Sequence, residues 1–371
     1  MKAMVITMTC GEGHNTIARS LVGEFNKKGI ESCMVETYGF DLRRVAFENH
    51  RFLWAVRHVP QIYNKIWNYM RIRDYSTDKI PRYVKKCLPY FIQKIDEFKP
   101  DIIVCTHSYA SAVISYMKKA HLLNENIVTG TILHDFCLSP YWEQSNKLDY
   151  IFQPYYNTTE DLIKKGYSEK QIVTLGLPIR SEFYDNFDKL ELRKKLNLPD
   201  KFTVLSVGGG NSIGNTLKLL KNILKKNLYI NIIIINGKNI KNRQKIEKYL
   251  QKHKIDNVFN LGFVANIHEY MKASDVIITR CGSNSITECL VLNKPFITRE
   301  NMIINEAIVR DMFVKNNCAI AMKKITDAGE KIEYLKNNPL IYEKMQNNIK
   351  KYVLNNSSKN VVEFLIKKAE N

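Results

Sequence analysis

Glu288 follows a turn of small residues, Gly282-Ser283-Asn284-Ser285, which itself follows the apolar run Val276-Ile277-Ile278. That order predicts a buried strand, a tight turn and a helix opening at residues 283–285. A helix N-terminus aims unsatisfied backbone N–H groups and the positive end of its dipole at whatever lies above it. A phosphate fits there. A carboxylate at Glu288 can accept two hydrogen bonds from a ribose diol. The pattern points to a nucleotide site, and within that class to a nucleotide sugar.

Three more constellations lie in the same half of the chain. Residues 206–216, SVGGGNSIGNT, hold Gly208, Gly209 and Gly210 in a row. Consecutive glycines are costly unless backbone must approach a ligand or adopt positive φ. Phosphate contact accounts for them better than a tight turn alone. Leu261-Gly262-Phe263-Val264 ends another apolar run. There the backbone of Phe263 and Val264 can read a base edge, or Phe263 can be an ordinary core residue. After Pro295-Phe296-Ile297 come Glu300, Asn305 and Glu306. These can grip sugar hydroxyls or cap a helix over residues 305–314.

The first half carries histidines. His14 ends the loop MTCGEGHNT (residues 8–16), which joins a strand to a helix and lacks the G-x-G-x-x-G dinucleotide spacing. A histidine there can be a general base or a phosphate contact, or simply cap the helix. His134-Asp135 and His107-Ser108 each end a strand-like run. Either histidine can act as a base or an orienting group. For His107 an inert strand-end role is the better reading. Residues 47–73 differ again. They hold two of the three Trp, Trp54 and Trp67, with Tyr63, Arg57 and Arg73 among other aromatic and basic residues. Such a segment suits an anionic membrane interface. It also suits a stacking platform for single strands, or a pair of core helices around Pro60.

The elements that must position these residues alternate. Strand-like runs cover residues 3–8, 32–36, 102–106, 127–133, 150–153 and 172–175, then 203–207, 231–235, 257–261, 276–279 and 295–298. Helical periods fill the gaps. This predicts an α/β chain with parallel sheets and helices on both faces. The strands fall into two series separated near residues 176–200. That predicts an N-terminal domain over residues 1–180 and a C-terminal one over 181–355. A final helix over 356–371 is a candidate to cross back to the first. Ligands bind at the carboxyl ends of strands in such sheets, so the site is expected in a cleft between two facing domains.

Bulk properties narrow the class. The formal charge is +19, from 56 Lys+Arg against 37 Asp+Glu, which favours an anionic partner. No apolar run is long enough to span a bilayer, and the first residues lack the regions of a signal peptide. The eight Cys are scattered, with no CxxC pair. Reduced thiols in a cytoplasmic protein are expected.

Taken together, these residues resemble the monogalactosyldiacylglycerol synthase and processive diacylglycerol glucosyltransferase family, of glycosyltransferase family 28. The resemblance runs over nearly the whole chain. The family's G-G-G-H loop is similar to Gly11-Glu12-Gly13-His14. Its T-D-F…H-x-x-W region is similar to His134-Asp135-Phe136…Ser139-Pro140-Tyr141-Trp142, and its G-[IL]-P-I-R-x-x-F segment to residues 176–183. Its G-G-G loop, G-F strand end, [KR]-x-G-x-x-[ST]-[IV]-x-E helix and Q-E pair are similar to Gly208-Gly209-Gly210, Gly262-Phe263, residues 280–288 and Asn305-Glu306.

The resemblance implies a GT-B fold of two Rossmann-like domains. It implies transfer of a hexose from UDP-glucose or UDP-galactose to diacylglycerol or a glycosyl-diacylglycerol. The expected place is the cytoplasmic face of the membrane, with inversion, without metal and without a cofactor, the UDP-sugar being substrate. Glu288 would then hold the ribose. Gly282, Ser283, Asn284 and Ser285 would hold the diphosphate with Gly209, Gly210 and Arg280. Phe263 and Val264 would line the uracil, and Asn305 and Glu306 the sugar. His14, with His134 and Asp135, would serve the acceptor hydroxyl. Trp54, Arg57, Tyr63 and Trp67 would meet the lipid surface. Glu12, Ser139 and Asn305 depart from the family pattern, which bears on the sugar and the acceptor more than on the reaction. A polyprenyl-linked acceptor is the alternative within the same chemistry. A basic nucleic-acid-binding protein is the alternative of another class, and it leaves the glycine loops and Glu288 without a role.

Overall fold

The computed structural model describes residues 1–72, 80–208, 215–299 and 303–371. The strands are β1 (Lys2–Thr7), β2 (Glu31–Glu36), β3 (Ile102–Cys105), β4 (Val128–Ile132), β5 (Tyr150–Gln153), β6 (Ile172–Thr174), β7 (Thr203–Val207), β8 (Asn231–Ile235), β9 (Val258–Leu261), β10 (Val276–Thr279), β11 (Phe296–Thr298) and β12 (Ala319–Ala321). The helices are α1 (Gly13–Lys27), α2 (Leu42–His58), α3 (Pro60–Ile72), α4 (Arg82–Phe98), α5 (Ser108–Lys119), α6 (Thr159–Lys164), α7 (Lys189–Lys195), α8 (Thr216–Leu224), α9 (Ile240–His253), α10 (Ile267–Ala273), α11 (Ser283–Val291), α12 (Ile304–Lys315), α13 (Ala328–Asn337), α14 (Pro339–Ile349) and α15 (Ser357–Ala369). The chain divides into two compact units, Met1–Ser181 with Leu354–Asn371, and Glu182–Val353.

The first unit is built on a parallel sheet ordered β2-β1-β3-β4-β5-β6. Side chains alternate across a strand, so β1 feeds two cores at once. Ala3 and Val5 pack with Ile17, Leu21 and Phe25 of α1 and Val361, Val362 and Leu365 of α15. Met4 and Ile6 pack with Phe91 of α4 and Val113 and Met117 of α5. The closing helix α15 belongs to this unit. Its Phe364 ring lies 4.9 Å from Tyr150 and 5.6 Å from Phe152, and Ser358 Oγ donates to Ile179 O at 2.6 Å.

The second unit has a parallel sheet ordered β12-β11-β10-β7-β8-β9. Val204, Ile232, Ile278 and Ile297 face a core closed by Leu219, Leu220 and Ile223 of α8 and Ile332 and Leu335 of α13. At the amino ends of its strands, buried Asp275 accepts from Thr203 N at 2.7 Å and from Arg193 Nη2 at 2.7 Å. That pair ties α7 to the sheet. Both sheets place their loops at strand carboxyl ends before a helix, as the alternation of runs predicts. The short edge strand β12 has no counterpart among the strand-like runs. Among the described residues, no helix is long and apolar enough to cross a membrane.

Candidate functional site

In the first unit three histidines converge at the carboxyl ends of neighbouring strands. His14 sits in the first turn of α1, after β1. His107 is the N-cap of α5, after β3, and accepts from Tyr109 N at 3.1 Å through Nδ1. His134 follows β4. The rings lie 4.6 Å (His14–His107) and 4.3 Å (His14–His134) apart, with His14 in the middle. His14 Nδ1 donates to Thr106 O. A carbonyl can only accept, so the proton sits on Nδ1 and Nε2 keeps its lone pair. Burial first, then His134 and His107, hold the His14 pKa well below the ordinary imidazole range. Burial, with His134 second, pulls His107 down to about 3. His14 is therefore a neutral imidazole, oriented by Thr106, with a basic nitrogen available at neutral pH.

The loop before it is shaped for that ring. A side chain at Gly13 would put Cβ 2.8 Å from His134 Nε2, so the close approach of His134 to α1 requires glycine. Gly11 has φ +74°, and its N–H donates to Asn49 Oδ1 of α2 at 2.9 Å. Thr9 is anchored through N and Oγ1 to Glu36. His134 Nδ1 lies 3.5 Å from Asp135 Oδ1. His14, His134 and Asp135 are thus brought together. His107 joins them as a cap that also packs edge-on against His14. Tyr141, in the loop after β4, is held at φ 76°, an uncommon conformation for a residue with a side chain.

The segment over residues 42–72 forms two amphipathic helices, α2 and α3, joined at Pro60. Phe47, Trp54, Ile62, Ile66 and Tyr69 are exposed, and Arg51 and Arg57 lie among them. Trp54 stacks on His58 at 5.4 Å. Tyr63 is half-buried and packs edge-on to Phe52 at 6.2 Å. Trp67 differs from the expectation that it reaches a lipid surface. It is 5% exposed, with Arg71 over its ring, because its position on α3 turns it inward.

In the second unit the donor-side candidates gather at the carboxyl ends of β9, β10 and β11. Gly282 is the N-cap of α11, and Ser283, Asn284 and Ser285 form its first turn. Thr287 Oγ1 donates to Ser283 O at 2.9 Å, and Glu288 follows on the next turn. Phe263 is 68% exposed, beyond the end of β9. It is no core residue, and an exposed ring suits stacking on a flat partner. Val264 beside it is half-buried. Asn305 and Glu306 open α12, where a carboxylate suits the helix dipole. Arg280 donates from Nε and Nη2 to Glu306 Oε2 at 3.1 and 2.8 Å, with both side chains mostly buried. Its charge is engaged by a carboxylate of the same site, which the sequence did not suggest. Gly209, Gly210, Arg73 and Glu300 lie outside the described residues.

Two family models match the chain. One, described as monogalactosyldiacylglycerol (MGDG) synthase, matches residues 14–179. The other, glycosyltransferase family 28 C-terminal domain, matches residues 204–363. Similar curated proteins include a processive diacylglycerol beta-glucosyltransferase of Bacillus subtilis, 24% identical over 371 residues, covering 100% of this chain and 96% of the relative. Another of that name, from Staphylococcus haemolyticus, is 27% identical over 304 residues, covering 80% and 74%. Among solved structures, Acinetobacter baumannii MurG superposes with a TM-score of 0.66 at 14% identity, covering 99% of this chain and 100% of that one. Staphylococcus aureus MnaA with UDP gives 0.65 at 16%, covering 100% and 98%. These likenesses, with the two parallel sheets, show the GT-B fold, with two Rossmann-like α/β domains.

Proposed function

The chain belongs to the monogalactosyldiacylglycerol synthase family and carries a glycosyltransferase family 28 C-terminal domain, and from that premise we propose how its residues divide the work. It is a UDP-sugar glycosyltransferase of glycolipid synthesis that acts on diacylglycerol. The finer reading is a direct displacement at the anomeric carbon, with inversion and without a metal, on the cytoplasmic face of the membrane.

The observation that carries this reading is the state of His14. A neutral imidazole with Nδ1–H given to Thr106 O presents Nε2 as a base. As the acceptor hydroxyl oxygen bonds to the anomeric carbon, its proton passes to Nε2 and the bond from that carbon to the diphosphate oxygen breaks. General-base help of this kind is worth about 10²–10⁴-fold. His134 wedges the ring from one side and His107 from the other. Asp135 Oδ1 lies beside His134 Nδ1.

In the second unit the leaving diphosphate takes the first turn of α11, where backbone N–H groups and the dipole stabilise the charge that develops. Glu288 takes the ribose hydroxyls and Phe263 with Val264 the uracil. Asn305 and Glu306 take the sugar, with Arg280 holding the Glu306 carboxylate in place. The exposed apolar and basic face of α2 and α3, with Trp54 and Arg57, docks on anionic lipid. The departure from the family pattern at Asn305 bears on the choice between glucose and galactose.

The test is UDP release from a panel of UDP-hexoses with diacylglycerol supplied in micelles, and the anomeric configuration of the product. Turnover that depends on diacylglycerol, with an inverted product, is expected. Activity only on a polyprenyl-linked acceptor would replace the acceptor. Absence of turnover across the panel would overturn the reading.

A further inference from the structure

Arg299 follows β11 directly, and its N–H donates to Thr279 O at 3.0 Å, extending the β10–β11 ladder by one step. In that ladder Ile278 pairs with Ile297 and Thr279 with Thr298. The next residues in register are Arg280 and Arg299, side by side, on the sheet face that Ile278 and Ile297 share. Two guanidiniums thus meet at the carboxyl edge of the sheet, and they fare differently. Arg280 is neutralised by Glu306. Arg299 is 6% exposed, and neither Nη1 nor Nη2 has a hydrogen-bond partner among the described residues.

An arginine cannot escape such a position by losing its proton. Burial, then the charge of Arg280, lower its pKa only to about 10, so it stays a cation. A buried, unpaired cation is costly, and folded chains seldom keep one without a use. A second group stands in the same condition. Thr216, the first residue of α8, is buried, and its Oγ1 has no partner among the described residues. The helix α8 follows β7, the neighbour of β10, and packs on the same face. The ends of β7, β10 and β11 therefore offer a helix N-terminus, a hydroxyl donor and an unmatched guanidinium. Donors of that set, with no carboxylate pairing with Arg299 among the described residues, are the complement of an anionic group.

We infer that Arg299 is an anion-recognition residue of the donor half, receiving anionic oxygens of the nucleotide sugar from either its terminal phosphate or a carboxylate on the transferred sugar. This rests on the donor role proposed above for the second unit. Arg280 orients Glu306, whereas Arg299 waits for charge that the ligand brings.

The experiment titrates the full chain and its Arg299→Met and Arg299→Lys variants with UMP, UDP, UDP-glucose and UDP-glucuronate, and melts each protein without nucleotide. Arg299→Met should melt at or above the native temperature, since a buried charge is replaced by an apolar chain. It should nonetheless lose about tenfold or more in affinity for the anion-bearing ligand. Loss for UDP and UDP-glucose but not for UMP assigns Arg299 to the terminal phosphate. Loss confined to UDP-glucuronate assigns it to a sugar carboxylate. Arg299→Lys, which keeps the charge but not the fork, should fall between the native protein and Arg299→Met, and it serves where the Met variant does not fold. A native protein that binds UDP, with folded variants that bind every one of these ligands unchanged, overturns the inference alone. A native protein that binds none of them removes the donor reading itself.

Discussion

Gly13→Ala tests the histidine cluster at a position that has no side chain of its own. The new Cβ would stand 2.8 Å from His134 Nε2 and 3.1 Å from Cε1. Ordinary van der Waals contact starts at about 3.5 Å, so the His134 ring must retreat by roughly half an ångström or more. It cannot do so independently, because its centroid is 4.3 Å from His14, which is itself packed at 4.6 Å against His107. A displacement approaching 1 Å near a reacting group costs about 10²-fold in rate. A loss of about 10- to 100-fold in kcat, about 1.4–2.7 kcal/mol of barrier, is therefore expected. Stability moves the other way or not at all. Gly13 opens α1, and alanine in place of glycine in a helix favours folding by up to about 1 kcal/mol. The assay is steady-state turnover on diacylglycerol micelles beside thermal melts. A Gly13→Ala variant as active as the native protein would refute the cluster as a functional unit. A variant that loses activity only by unfolding would refute the reasoning as well.

Replacing His14 by Ala or Gln should lower kcat by about 10²–10⁴-fold and leave UDP affinity nearly unchanged, measured by kinetics and titration. Because burial and its histidine neighbours hold the His14 pKa low, the acid limb of kcat/KM should lie well below the free imidazole value of about 6.5. The same depression makes stability greatest above that value, and it should fall as pH drops through it, since the unfolded chain takes up the proton first. Arg57→Ala should weaken binding to anionic vesicles by about 1 kcal/mol, roughly fivefold, with less effect at high salt, read by vesicle sedimentation. Glu288→Ala should raise the KM for the donor far more than it lowers kcat, and the opposite pattern would overturn the ribose assignment.

Much of this architecture is legible in the sequence because buried parallel strands read as apolar runs. Val276-Ile277-Ile278 and Asn231–Ile235 announce themselves, and the turn chemistry after each points to the strand end where ligands bind. The edge strand Ala319–Ala321 escapes notice because three residues, two of them partly exposed, leave no run to see. Trp67 departs from its expected place because a basic, aromatic segment has the same composition whichever way each ring turns. Its inward direction depends on the packing of α3. The Arg280–Glu306 pair, the Asn49 grip on Gly11 and the Thr106 acceptor of His14 join residues far apart in the chain, and only the fold brings them together. His107 carries a visible signal, a histidine at a strand end like His134, yet its contact with His14 needs the neighbouring order of β1 and β3.

The most direct test of the account is the lipid product itself. The protein is incubated with diacylglycerol vesicles and UDP-glucose or UDP-galactose, and the extracted lipids are weighed by mass spectrometry. A diacylglycerol heavier by one or more hexoses, formed by the native protein and reduced in the His14→Ala variant, is the predicted result. Lipids left unchanged with both donors, or a glycolipid made equally well without His14, would contradict it.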